Sequence, residues 1–263
     1  MGGNADMRRF LVSPDSIKND TVYISGYDLK HMVQVLRFRT GDHLLVFDGT
    51  GLEHEIELVS VDKAMAVGKI VKTGTPETES KRKVILFQGM PKSDKMEWII
   101  QKTVELGVSQ IVPMITRYSV VRDIDRNIDA KLERWNRISR EACKQSGRVV
   151  IPEVKKPLEY SKAMDLWDDM VSNETCGSSL AVFCYENEGK KCFKELLKCY
   201  NIDYIKTIGI FIGPEGGFAE EEIKLAGDHG IIPVGLGKRI LRTETAAVAV
   251  LSIIMYEIGD FDL

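Results

Sequence analysis

Two glycine-bearing loops constrain this chain more than any other feature. The first reads Gly213-Pro214-Glu215-Gly216-Gly217-Phe218, and the second, about twenty residues on, Leu236-Gly237-Lys238-Arg239-Ile240-Leu241-Arg242-Thr243-Glu244-Thr245-Ala246. Each follows a short apolar run of strand character and leads into a helical one. Both are therefore expected to be strand-to-helix loops on one edge of an α/β sheet, the edge where such sheets bind nucleotides. Glycines let the backbone turn tightly and bare its N–H and C=O groups, so a flat adenine and a ribose can lie against main chain. Pro214 stiffens the turn. No G-x-G-x-x-G occurs, and Gly237-Lys238 lacks the upstream glycine and the following Ser or Thr of a P-loop, which excludes both of those phosphate cradles.

The loops sit in a longer β/α alternation. Apolar runs at 84–89, 110–115, 180–185, 208–212 and 231–236 read as parallel strands covered on both faces, with helices expected at about 93–106, 128–146, 160–171, 190–200, 219–228 and 243–258. Residues 8–72 have another texture, short strand-like runs with one helix around Gly26 to Arg37 and turns at Thr40-Gly41-Asp42 and Asp48-Gly49-Thr50-Gly51. That pattern predicts a small closed β-barrel. The polar stretch Lys72–Lys81, with Gly and Pro and no apolar side chain, reads as the linker between the two. Two domains are expected, 1–75 and 76–263, each large enough to bury a core.

The net charge of −3 is unevenly distributed. Residues 84–150 carry 12 Lys and Arg against 8 Asp and Glu, whereas 151–263 carry 12 against 19, so one part is suited to meeting phosphate and the other is not. In the 128–146 helix, Ile128, Leu132, Trp135, Ile138 and Ala142 make one apolar stripe, and Lys131, Arg134, Arg137, Arg140 and Lys144 occupy the remaining circumference. The five cysteines form no C-x-x-C and the four histidines are scattered, so free thiols are expected and no metal site is. No apolar run approaches the ~18 residues of a membrane span, and the start lacks an apolar signal core. A cytoplasmic protein is expected.

Taken together, the two loops resemble the cofactor loops of the SPOUT class of S-adenosylmethionine-dependent RNA methyltransferases, most closely the RsmE family, which methylates N3 of a uridine in 16S ribosomal RNA. The resemblance runs over nearly the whole chain. It includes Arg8-Arg9-Phe10, His31, Val35-Leu36-Arg37, Gly41-Asp42 and Asp48-Gly49-x-Gly51, which resemble the PUA-like RNA-binding barrel of that family, and Glu141-Ala142-Cys143-Lys144-Gln145-Ser146-Gly147-Arg148, which resembles the motif closing its basic helix. It implies an α/β SPOUT domain with a trefoil knot, the terminal segment threading beneath the Gly213 loop. It implies S-adenosyl-L-methionine bound by Glu186, Ile212, Gly213, Glu215, Gly216 and Gly217 on one side, and by Gly235, Leu236, Gly237, Ile240, Leu241, Arg242, Thr243 and Ala246 on the other. A homodimer is implied as well, each RNA docked on the barrel of one subunit and methylated in the other. Arg8, Arg9, Lys92, Arg117 and Arg148 are expected to line a basic RNA-binding face, with 16S rRNA or the small ribosomal subunit as partner. Two alternatives stay open: a ribose 2′-O-methyltransferase of the same class, and a non-catalytic RNA-binding assembly factor.

The chemistry asks chiefly for alignment, and no metal is needed. Uridine N3 carries a weakly acidic proton and is a poor nucleophile until it leaves, so a base or a stabiliser of the uracil anion is expected. Glu215 and Glu244 are the candidate bases, and Arg242 is the candidate cation near the uracil oxygens or phosphate because its planar fork suits such groups. Thr243 is expected to cap the last helix, while Ala219, where the family usually has Ser, Thr or Asp, cannot cap the helix it precedes, at a cost of about 1 kcal/mol. The last helix, Ala246 to Tyr256, is apolar nearly all round. A helix of that kind needs covering on every side, and a partner subunit is the expected cover, with Val250 in the interface.

Overall fold

A computed structural model describes residues 7–92, 94–119, 127–185 and 192–262. They form two compact units, one made of the chain up to Glu79 together with Cys143–Ile151, the other of Ser80–Ala142 and Pro152–Leu263.

In the first unit, alternating apolar and polar residues give β1 (Arg9–Leu11), β2 (Ile17–Lys18), β3 (Thr21–Ile24), β4 (His43–Phe47), β5 (Glu53–Val61) and β6 (Ala66–Gly74). They pair in the order β1-β4-β5-β6-β3-β2, parallel only between β1 and β4. The helix α1 (Gly26–Lys30) runs on into a π-turn, His31–Val35. It buries Leu29 and Met32 against Phe10, Val22, Leu44 and Ile56. The stretch 72–81 is a linker only in part, because β6 continues to Gly74 and pairs with Glu53.

Glu79 anchors the segment beyond β6. Its carboxylate accepts from Arg148 Nε at 3.1 Å and Nη2 at 2.7 Å, from Val149 N–H at 2.8 Å and from Val150 N–H at 3.0 Å. Arg148 is therefore not part of an RNA-facing surface, contrary to expectation; it is 4% exposed and its charge is matched within the unit. Arg9 is similarly engaged, with Nε on Glu53 Oε1 at 2.6 Å and its guanidinium 4.8 Å above the Phe47 ring. Arg8 remains exposed.

The second unit begins with β7 (Lys83–Gly89), α2 (Lys95–Glu105), β8 (Gln110–Ile115), α3 (Ile128–Ser146, of which residues up to Ala142 belong to this unit), β9 (Glu153–Val154), β10 (Leu158–Glu159) and α4 (Tyr160–Val171). It continues with β11 (Ser179–Cys184), α5 (Phe193–Cys199), β12 (Thr207–Ile212), α6 (Glu220–Asp228), β13 (Ile232–Val234) and α7 (Thr243–Glu257). The strands pair in parallel in the order β10-β8-β7-β12-β11-β13, with β9 also on β8. Burial on both faces explains their continuous apolar runs: all six residues of β12 are buried, and all but the first of β7. Phe87 and Phe211 stack at 4.2 Å with Trp167 edge-on to both, and Phe183 packs on Phe218 at 4.1 Å. Phe218 thereby pins the end of the first glycine loop into the core.

On α3, Ile128, Trp135 and Ala142 are buried and Lys131, Arg134 and Arg137 exposed, as the spacing predicts. The last helix differs from expectation. Val250 is fully buried within its own subunit, together with Ala246, Ala247, Leu251, Ile254 and Met255, because α7 packs against α2 and β12. The face left outside carries Ile253, 41% exposed, and Tyr256, 68% exposed. Among the described residues no helix is long and apolar enough to cross a membrane.

Replacing Glu79 removes a carboxylate from the buried Arg148 guanidinium and takes that acceptor from the Val149 and Val150 N–H groups. Glu79→Ala is expected to cost about 3–5 kcal/mol, read as a lowered urea midpoint, with Glu79→Gln falling between it and the unaltered protein.

Candidate functional site

The carboxyl ends of β11, β12 and β13 open into one cavity of about 530 Å³, within the ~300–1,000 Å³ of small-molecule sites. Ile212, Gly213, Glu215, Gly216 and Gly217 line it from the first loop. From the second come Leu236, Gly237, Ile240 and Leu241, and from the start of α7, Arg242, Thr243 and Ala246. Gly235 is not among the lining residues; its carbonyl accepts Phe193 N–H at 3.3 Å. Glu186 lies outside the described residues. The lining also includes Lys95, Cys184, Tyr185 and Phe218, and the rim cations Lys238 and Arg239.

A buried chain of hydrogen bonds sets the floor. Thr243 Oγ1 donates to the Gly213 carbonyl at 2.6 Å and accepts from Gln88 Nε2 at 2.9 Å, and that amide also donates to Gly89 O at 3.0 Å. Thr243 is thus no helix cap: α7 starts at Thr243 itself, and its hydroxyl points to the other loop. Gln88 is fully buried at the end of β7, so three chain segments meet at one hydroxyl.

A second tie lies nearer solvent. Lys95 Nζ stands 2.9 Å from Glu215 Oε1 and 3.1 Å from Glu244 Oε2, and Lys92 N–H donates to both Glu215 oxygens at 3.2 Å. The two carboxylates hold the Lys95 ammonium above its ordinary pKa. Burial pushes the Glu215 carboxyl up, but Lys95 and the backbone N–H groups of Glu215 and Lys92 outweigh it, leaving the group below the usual carboxylate range. At neutral pH Glu215 is ionised and has little affinity for a proton. Its geometry makes it an anchor for Lys95. Burial raises the Cys184 thiol, so that lining group is inert.

The backbone at Gly217 has φ +69°, and a Cβ there would meet nothing within 4 Å. The conformation demands glycine, and the space beyond it is cavity. Arg242, Lys92 and Arg117 are exposed. Ala219 lacks a capping side chain, yet its N–H is met by Glu222 Oε2 at 2.8 Å, while Glu222 Oε1 accepts Arg117 N–H at 2.8 Å. Sequence reasoning missed Lys95 and Gln88. The signal available was their position beside the end of an expected strand, in Gln88-Gly89-Met90-Pro91-Lys92 and the helix start just after it.

The family described as RNA methyltransferase domain matches residues 78–255, and the RNA methyltransferase PUA domain matches 24–70. The chain is 33% identical over 241 residues to ribosomal RNA small subunit methyltransferase E of Bacillus subtilis, with 90% of each chain covered. It is 29% identical to the protein of that name from Buchnera aphidicola of Acyrthosiphon pisum, with 98% of this chain and 96% of that one covered. Among solved structures it is similar to ribosomal RNA small subunit methyltransferase E of Neisseria gonorrhoeae bound to S-adenosyl methionine, with TM-score 0.79 and 32% identity over 95% of this chain and 97% of that one.

Removing the Thr243 hydroxyl orphans the Gly213 carbonyl and one buried amide hydrogen. Thr243→Val is expected to destabilise the second unit by about 1–3 kcal/mol in chemical denaturation, whereas Thr243→Ser retains most of the stability.

Proposed function

The chain belongs to the RsmE family, the ribosomal RNA small subunit methyltransferases E, and on that premise we propose that it transfers the methyl group of S-adenosylmethionine to N3 of a uridine in 16S ribosomal RNA. The observation that carries this reading is the convergence of both glycine loops on a single cavity at the strand ends. The residues fit the cofactor: Gly217 leaves room where a side chain would stand, Ile212, Leu236, Leu241 and Ala246 offer apolar surface to an adenine, and the Glu215 carboxylate on the lining suits a ligand of positive charge.

When bound, S-adenosylmethionine supplies a methyl on a sulfonium, so the chain's task is to hold the acceptor in line with it, which can lower the barrier by ~7–11 kcal/mol. The rigid floor at Thr243, Gly213 and Gln88 serves that alignment. Arg242, exposed on the cavity wall, is proposed as the cation for the uracil oxygens as the N3 proton leaves. Glu215, ionised and held by Lys95, is better suited to fixing the loop than to taking that proton. In the N-terminal unit Arg8, and in the C-terminal unit Lys92 and Arg117, are proposed phosphate contacts. Threading of the terminal segment beneath the Gly213 loop belongs to the same reading and is supported by the bond from Thr243 to Gly213. So does a cytoplasmic location, where the ribosomal RNA is.

Gly217→Val is expected to abolish S-adenosylmethionine binding in calorimetry while the protein stays folded. Mapping the methylated atom in treated 16S rRNA is expected to find uridine N3; a methylated ribose 2′-oxygen would overturn the assignment.

We further propose a homodimer built on the outer face of α7, because Ile253 and Tyr256 leave apolar surface uncovered. Ile253→Lys is expected to give monomers in analytical ultracentrifugation without loss of fold, since that side chain packs outside the subunit's own core.

A further inference from the structure

The turn after β8 carries a half-exposed aromatic ring that the fold does not use. Buried hydroxyls close this turn: Ser119 N–H donates to Thr116 O at 3.1 Å, Thr116 N–H donates to Ser119 Oγ at 3.1 Å, and the two side-chain oxygens lie 3.0 Å apart. Arg117 N–H is fixed on Glu222. The backbone at Arg117 and Tyr118 is therefore held rigidly, and both residues are exposed, Tyr118 to 48%.

The turn presses on the first glycine loop. A Cβ built on Gly216 would stand 2.7 Å from Tyr118 Cβ and 3.5 Å from its Cγ and its carbonyl oxygen. Only glycine permits this approach. The contact runs chiefly through the Cβ and main chain of Tyr118, which leaves most of the ring outside it. Gly216 lines the cavity, so Tyr118 stands directly beside one of its lining residues. A rigidly held aromatic beside a cation, at the edge of such a cavity, has the make-up of a stacking platform for single-stranded nucleic acid, in which the ring takes a base and the guanidinium a phosphate.

We propose that Tyr118 stacks on a base of the RNA substrate and, with Arg117 on the adjoining phosphate, positions the acceptor strand over the cavity. This rests on the methyltransferase reading above for the identity of the strand. A substrate-positioning ring also accounts for the turn's geometry: Thr116, Ser119 and Glu222 immobilise the backbone at the two residues whose side chains face solvent.

Tyr118→Ala keeps the Cβ that touches Gly216 and removes only the ring, so a merely structural role predicts almost no change. The proposal predicts that Tyr118→Ala raises KM for 16S rRNA, and weakens RNA binding measured without cofactor, by about tenfold or more, with S-adenosylmethionine affinity and thermal stability unaltered. Tyr118→Phe and Tyr118→Trp are expected to restore both RNA readouts. Wild-type RNA affinity and KM in Tyr118→Ala, or failure of the Phe variant to restore them, would overturn the proposal while leaving the enzyme's activity in place. If instead the unaltered protein methylated no rRNA yet Tyr118→Ala lost RNA binding and Phe regained it, the reaction assigned above would fall and the stacking role would stand.

Discussion

One hydroxyl group holds the cavity together. Thr243 Oγ1 stands between the Gly213 carbonyl and the Gln88 amide, and so joins the end of β7, the end of β12 and the beginning of α7 at the floor of the cavity. A neutral bond of this kind contributes only about 1 kcal/mol net, but breaking it strands buried polar groups, a larger penalty. The arrangement is thus hard to leave once formed. It also fixes which way the Gly213 carbonyl points, and with it the orientation of the loop beyond. The Lys95 tie joins the start of α2 to the first glycine loop through Glu215 and to α7 through Glu244, from the solvent side. Being partly exposed, it is screened by salt and weaker. The two ties divide the work: the buried one sets the loop positions, and the ionic one can loosen as ligands enter without disturbing the core.

Most of the second unit was legible in the sequence because its physics is local. A parallel strand covered on both faces must be apolar throughout, and an amphipathic helix must show its stripe, so β7, β8, β11, β12 and α3 could be read directly. The strands β9 and β10, of two residues each, are too short to display any period. The site was legible as two loops because glycine spacing is local too. Its cross-links were not. Lys95 finds its partners in Glu215 and Glu244, more than a hundred positions away, and Arg148 finds Glu79 at a separation of 69. A basic residue at the end of a basic helix reads as a phosphate ligand until its carboxylate partner is known. Thr243 misled in the same way, since a threonine at a helix start suggests a cap and only the tertiary structure brings the Gly213 carbonyl within its reach. In α7 the difficulty was different: a helix apolar all round carries no mark of which face turns inward, so Val250 could be assigned outward when it is buried among Ala247, Leu251 and Ile254.

The missing cap on α6 shows how one departure from a pattern is absorbed. Glu222 reaches back to the Ala219 N–H, as the second half of a capping box would. Its other oxygen takes the Arg117 N–H from the turn after β8. The helix start is thereby tied to the turn that carries Tyr118, and the helix dipole favours the carboxylate that makes both bonds. A serine at 219 would satisfy the same N-terminus without requiring this reach. The carboxylate therefore does two tasks at once, and the position of Arg117 depends on it.

Charge within the second unit is segregated over short distances, and this bears on how a cationic cofactor and a polyanionic substrate can share one cavity. Beside the first glycine loop two carboxylates face one ammonium, which leaves net negative charge there. The lining also carries Lys238, Arg239 and Arg242, all exposed. On the proposed reading these cations are the groups that attract phosphate, over about a Debye length of 8–10 Å. The carboxylates favour the sulfonium of the proposed cofactor, and without Lys95 they would stand as two unneutralised charges beside the loop. On the proposed reading, Lys95 therefore lowers the repulsion that an RNA strand meets there while leaving a net negative charge that suits a cation.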